Sequence, residues 1–288
     1  CGLSGDRMAV SSGTKRPVTF FCNGRLKQSS YHLRTGSTCE LPRVRADEIE
    51  MAALNTIRDM FNSPVKFLAV IDTSINYRYQ RSEKSIGTGL AKAVEKGSVT
   101  RDQVLLCTKG GFITGETEPP TKAWFEATYL KPGILKAEDI VAGCHSMTPK
   151  FLRHEVEQSL RNLGVETIDV YHVHNPETQI PEVGEAEFYK RLTAAFRELE
   201  ALADEGKLQV YGTATWHGYR VPAAHESHLS LQKGLACAEA AGGPKHRFRA
   251  VQFPLNLGLP EGLAHLTQVR KDGRPASAVA GGLPGHGS

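Results

Sequence analysis

The sequence predicts an α/β fold built on a parallel sheet, and three observations carry that prediction. Short apolar runs, as at 67–71, are dense enough to be buried on both faces, as strands of parallel sheets are. Between such runs, apolar residues recur at helical spacing, as Ile86, Leu90 and Val94 do. The two patterns alternate along most of the chain, which is the signature of repeated βα units.

Taken in order, residues 1–16 read as a flexible polar arm. Residues 18–22 and 25–28 flank Asn23-Gly24, the strongest short hairpin signal, and predict a β-hairpin. Residues 45–61 carry a helix pattern in Ile49, Ala53, Ile57 and Met60. A strand at 67–71 then leads to a helix over 83–96, announced by Ser82-Glu83. A strand at 104–107 is followed by a long loop, 110–147, and a helix over 149–163. The pattern continues with a strand at 168–173, a helix over 187–205, a strand at 208–211, a helix near 229–241 and a strand at 250–253. The loop 110–147 is too long for a mere connection. It holds Trp124, Phe125, Tyr129, Cys144 and His145, and reads as a lid or the wall of a substrate pocket. Residues 269–288 are rich in Gly, Pro and Ala and show no strand pattern.

The bulk properties narrow the function. A chain of 288 residues can hold one large domain. The net charge of +4 is small and scattered, which argues against nucleic acid as a partner. No apolar run reaches the ~18 residues of a membrane span, and the N-terminus has no secretory pattern. The six cysteines form no Cys-x-x-Cys pair, so a reduced, cytoplasmic protein is expected. The chain begins at Cys1, so an upstream segment is expected to be missing.

Polar residues able to do chemistry follow the strands directly. Asp72 and Tyr77 follow the run 67–71, Lys109 follows 104–107, and His174 follows 168–173. Four ionisable groups thus gather at the C-terminal ends of neighbouring strands, where parallel α/β proteins bind their ligands.

Asp72, Thr73, Tyr77, Ser82 and Glu83 fall in register with a motif of the aldo-keto reductase family, with Arg78 where glycine is usual. The chain therefore resembles that family from about residue 17 to about 268. The resemblance implies a TIM (β/α)8-type barrel with an N-terminal hairpin, its first strand near 31–35. It also implies that the last two strands are missing, with a Gly/Pro-rich tail over 269–288. Asp72, Tyr77, Lys109 and His174 match the family's catalytic tetrad, and NADPH is the implied cofactor, held by Thr35, Asp72, Thr215 and Gln252. The family's Ser-Asn pair is Ala214-Thr215 here, and Thr215 keeps a hydrogen-bonding hydroxyl where Ala214 does not.

The implied chemistry is the reduction of an aldehyde or ketone, a small-molecule carbonyl substrate. Hydride attack builds negative charge on the carbonyl oxygen, which must receive a proton. A phenol is a weak acid near neutrality, and an ammonium beside it favours its ionised form. Tyr77 is then the general acid, Lys109 the ammonium, Asp72 its anchor, and His174 the donor that orients the carbonyl. Two other readings compete. His172 and His174 share one face of a strand and could bind zinc, but no carboxylate pattern accompanies them, so no metal is expected. A catalytically impaired relative that binds nucleotides or a partner is the other. His32 and Arg34, in place of first-strand glycines, favour it.

Overall fold

The computed structural model of the chain describes residues 8–13, 16–22, 44–45, 69–256, 258–270 and 272–279. The chain divides into two units, Cys1–Phe67 and Leu68–Ser288. The strand expected near 31–35 with Thr35, the turn at Asn23-Gly24 and the helix over 45–61 lie outside the described residues.

In the first unit, β1 (Met8–Gly13), β2 (Arg16–Cys22) and β3 (Val44–Arg45) form an antiparallel sheet in that order. Val10 stands opposite Phe20, and Phe20 opposite Val44. This differs from the polar arm expected over 1–16. The strand around residue 20 pairs with β1 upstream of it and with β3 downstream, and residues 25–28, its expected hairpin partner, lie outside the described residues.

The second unit is built on five parallel strands, β4 (Ala69–Asp72), β5 (Val104–Gly110), β6 (Ile168–His174), β7 (Leu208–Ala214) and β8 (Phe248–Gln252), hydrogen-bonded in sequence order. Four helices connect them: α1 (Arg81–Glu95), α2 (Pro149–Leu163), α3 (Glu185–Asp204) and α4 (Leu231–Gly242). Each forms where the apolar period predicts. Pro149 opens α2, where its missing N–H costs nothing, and Gly164 closes it in the left-handed conformation that glycine adopts without strain. Ser230 caps α4 by accepting the Lys233 N–H.

The main core lies between one face of the sheet and the helices. Tyr171, Val173 and Tyr211 from the strands meet Phe188, Leu192, Phe196 and Leu199 of α3. The Phe196 ring sits 5.0 Å from Tyr211 and 5.1 Å from Phe248. Residues alternate between this face and the opposite one, so Cys107, Lys109, His172 and His174 share the inner face.

The segment after residue 268 departs from expectation. β9 (Gln268–Val269) and β10 (Pro275–Ala276) form a small antiparallel ribbon. Asp272-Gly273, a hairpin signal of its own, turns it with Gly273 at φ 81. Two residues per strand leave no period to read in a sequence. Long-range contacts hold the ribbon: buried Gln268 accepts from the Leu231 N–H and donates to the Leu229 carbonyl, and Ala276 and Ala278 are buried.

Candidate active site

The C-terminal ends of β4–β8 surround a cleft of about 300 Å³, lined among others by Asp72, Tyr77, Lys109, His174, Thr215 and Gln252. Strand register places them there. Asp72 is level with Cys107, so Lys109 stands two residues further along the same face, and Ala214 is level with both His174 and Gln252.

Lys109 is 2% exposed, and its ammonium reaches Asp72 Oδ1 at 2.9 Å, Asp72 Oδ2 at 2.8 Å and the Thr73 carbonyl at 2.8 Å. These three acceptors match its three N–H donors. The Gln252 amide donates to Asp72 Oδ2 at 3.1 Å, so the carboxylate is held from two strands. Asp72 keeps 38% of its side chain exposed to the cleft. Tyr77 leans over this pair, with Lys109 Nζ 5.3 Å from its ring centroid, and its ring meets the His174 imidazole edge-on at 5.9 Å. Tyr77 is 40% exposed, on a turn that continues through Arg78, Tyr79 and Gln80, all left-handed. Arg78, at φ 53, adopts the conformation that a glycine takes freely.

His174 is buried, with Nδ1 3.2 Å from Ser74 Oγ. Burial, aided by the Lys109 charge, pushes its pKa down to about 3, so the imidazole is neutral. His172, one turn of the pleat below, is likewise held down to about 4 by burial and Lys109, and its Nδ1 has no hydrogen-bond partner. Among the described residues, no group of three or more His, Cys, Asp or Glu gathers in a way that could hold a metal ion.

Of the residues expected to bind a cofactor, Asp72, Thr215 and Gln252 meet at this cleft, and Thr35 lies outside the described residues. The Thr215 backbone N–H bonds to the Gln252 carbonyl at 2.8 Å, and its hydroxyl is buried without a partner. Trp216, 55% exposed, follows on a turn held by Glu177. That buried carboxylate accepts from the N–H groups of Trp216, His217 and Gly218 through one oxygen.

The aromatics of the long loop after β5, expected to form a lid or the wall of a substrate pocket, pack among themselves. Trp124 and Phe125 pack on Tyr129, which packs on Phe151 at the start of α2, and the three loop aromatics take no part in lining the cleft. Phe112 does approach the site, edge-on to His174 at 5.1 Å. Sequence reading also passed over Ser74, Glu177 and Gln179. Only proximity to Asp72 and His174 in the chain could have flagged them.

Among solved structures, the chain is similar to a glycerol dehydrogenase, AKR11B4, from Gluconobacter oxydans. The two share 24% identity over 70% of this chain and 45% of that one, with a TM-score of 0.41. It is similar as well to the holo form of the aldo-keto reductase AKR11C1 from Bacillus halodurans, at 19% identity over 58% and 42% of the two chains and a TM-score of 0.34. A third, the aldo-keto reductase AKR2E5 complexed with NADPH, shares 17% identity over 51% and 34%, with a TM-score of 0.33. The chain spans less than half the length of each of these structures. The sequence model of the Aldo/keto reductase family matches residues 48–231, which include β4–β7 and all of Asp72, Tyr77, Lys109 and His174, and the chain belongs to that family.

Proposed function

We propose that this protein reduces an aldehyde or ketone to an alcohol with NADPH, with Tyr77 as the general acid. The observation that carries the reading is the Asp72–Lys109 ion pair at the floor of an open cleft, with Tyr77 and a neutral His174 on its walls. A bound reduced nicotinamide supplies the hydride. The residues present fit its carboxamide: the unpartnered Thr215 hydroxyl is a donor for the amide oxygen, and the Gln252 side chain an acceptor for the amide N–H.

The remaining steps belong to the protein's own side chains. The substrate carbonyl oxygen enters between Tyr77 and His174. A neutral His174 can donate to that oxygen only from Nε2, which requires Nδ1 to accept. Ser74 Oγ lies 3.2 Å from Nδ1, and its one hydroxyl proton also has Asn76 Oδ1 at 2.6 Å and the Lys109 carbonyl at 3.1 Å as acceptors, so the hydroxyl must turn to Nδ1 for that tautomer to form. As hydride reaches the carbonyl carbon, the Tyr77 O–H gives its proton to the oxygen and the alcohol is complete. Lys109 places a fixed positive charge under the phenol, which stabilises the negative charge left there until solvent restores the proton. Asp72 and Thr73 keep that ammonium in place.

The test is NADPH consumption with 4-nitrobenzaldehyde as the probe carbonyl. Tyr77→Phe is expected to lower turnover by roughly 10²–10⁴-fold or more, the usual contribution of a positioned general acid. Wild-type turnover in that variant rejects the assignment.

A further inference from the structure

We propose that His145, on the long loop between β5 and α2, is a positioning residue for His174, holding it by the backbone from behind the cleft. The proposal rests on the reading of His174 as the group that orients the substrate carbonyl.

His145 is fully buried, and its Nε2 lies 2.8 Å from the His174 carbonyl oxygen. A carbonyl only accepts, so Nε2 carries the ring proton. The other nitrogen, Nδ1, then accepts from the Gln179 amide at 2.9 Å. Gln179, itself 1% exposed, fixes the tautomer that makes His145 a donor. Burial holds the imidazole neutral, with its pKa pushed down to about 4, so the arrangement persists through the neutral range.

The geometry around His174 explains why a donor is needed there. β6 ends at His174, and Asn175 turns the chain away at φ 44. The His174 carbonyl therefore leaves the sheet at the point where its side chain must be aimed. His145 takes the place of a strand partner. The loop is built to bring it in: Val141 and His145 exchange backbone hydrogen bonds at 2.8 and 3.0 Å, and Ser146 N–H bonds to the Gly111 carbonyl at 2.8 Å. A Cβ on Gly111, which stands at φ 136, would lie 2.8 Å from His145 Nε2, so only glycine admits the ring this close. Phe112 fills the angle between the two imidazoles, edge-on to each at 5.1 Å. The loop thus touches the reaction through a side chain that never reaches the cleft. A change in the loop's placement shifts the His174 backbone, and a displacement of order 1 Å at such a group can cost on the order of 10²-fold in rate.

The experiment compares His145→Ala, His145→Gln and Tyr77→Phe in the full chain, with NADPH and 4-nitrobenzaldehyde, beside nitrogen NMR of the imidazoles. His145→Ala is expected to lower kcat roughly 10–10²-fold with the KM for NADPH unchanged, and to shift the His174 ring resonances. His145→Gln, whose amide can donate to the same carbonyl, is expected to recover most of kcat. Should the alanine variant not fold, Gln179→Met removes the tautomer-fixing donor at similar volume and is expected to give the same resonance shift with a smaller fall in kcat. Unchanged kcat and unchanged His174 resonances overturn the proposal. So does a fall in kcat matched by equal losses of melting temperature and NADPH affinity without rescue by glutamine, which marks a purely structural residue. Turnover surviving in Tyr77→Phe overturns the reading of the site itself.

Discussion

The two faces of β5 carry similar chemistry to different ends. On the inner face, Lys109 pairs with Asp72 at the edge of an open cleft. On the outer face, one residue to either side, Thr108 and Gly110 meet a second polar cluster sealed beneath α1 and α2. There Glu83 accepts from Thr108 Oγ1 at 2.6 Å and from the Asn162 amide at 2.9 Å, while Glu155 accepts from the Gly111 N–H at 2.6 Å. Both carboxyls are fully buried, and burial raises the pKa of each. A Cβ on Gly110 would lie 2.0 Å from the Tyr171 hydroxyl and 2.5 Å from Glu155 Oε2, so the packing there leaves room for glycine alone. The contrast teaches that ionisable residues do not mark a site by their presence or by perturbed titration. Access does: the outer cluster has no route for a ligand and ties helices to sheet, whereas the inner one faces a cleft.

The sharpest way to break this contrast is to remove the charge on the inner face. Lys109→Met is expected to lower turnover roughly 10²–10⁴-fold. Asp72 is partly solvated, so losing its partner should leave the melting temperature close to wild type. A large fall in stability with little change in turnover per folded molecule would invert the roles assigned to the two faces.

Next in size is the outer face. Glu155→Ala strands the buried Gly111 N–H and opens a cavity, at a combined cost of about 2–4 kcal/mol. Denaturant unfolding should show that loss, while turnover per folded molecule stays within about tenfold of wild type because the residue is out of reach of the cleft. A variant as stable as wild type would mean that Glu155 does not hold the strand.

A smaller effect separates the faces by pH. His172, on the inner face, binds a proton near pH 6.5 when unfolded and near 4 when folded. Between those values the unfolded chain holds more protons, so this residue removes stability as pH falls through 6.5 and the loss is complete near pH 4. The outer carboxyls act with the opposite sign: their folded pKa is raised, so their contribution is present below about 4.5 and fades as pH rises. His172→Gln is expected to flatten the acid limb of stability against pH by on the order of 2 kcal/mol, and to leave its alkaline side unchanged. An unaltered acid limb would show that His172 titrates alike in both states.

Much of this was legible in the chain itself. Short apolar runs specify β4 to β8, because strands of a parallel sheet are buried on both faces, as β5 and β6 are, and the helical apolar period specifies α1 to α4, because each buries one face. The placing of Asp72, Lys109 and His174 at one end followed from the same logic, since each directly follows an apolar run and parallel strands all end on one side. What local pattern could not supply was any pairing across distance. It gave no sign that β1 pairs with β2, and it left the ribbon of β9 and β10 unseen because its anchor, Gln268, acts through residues 229 and 231. It made Trp124 and Phe125 into a pocket wall when they serve a core of their own.

By itself, then, the sequence determined the order of β4 to β8 and of α1 to α4, and which ionisable side chains stand at the strand ends, since these depend on neighbours a few residues apart. The tertiary structure alone decided that His145 returns to the carbonyl of His174, that Glu177 secures the turn after β7, and that Glu83 and Glu155 are sealed while Asp72 stays open. Those outcomes depend on which surfaces cover one another once the chain has closed up, and burial of a polar group is a property of the covering surface as much as of the residue.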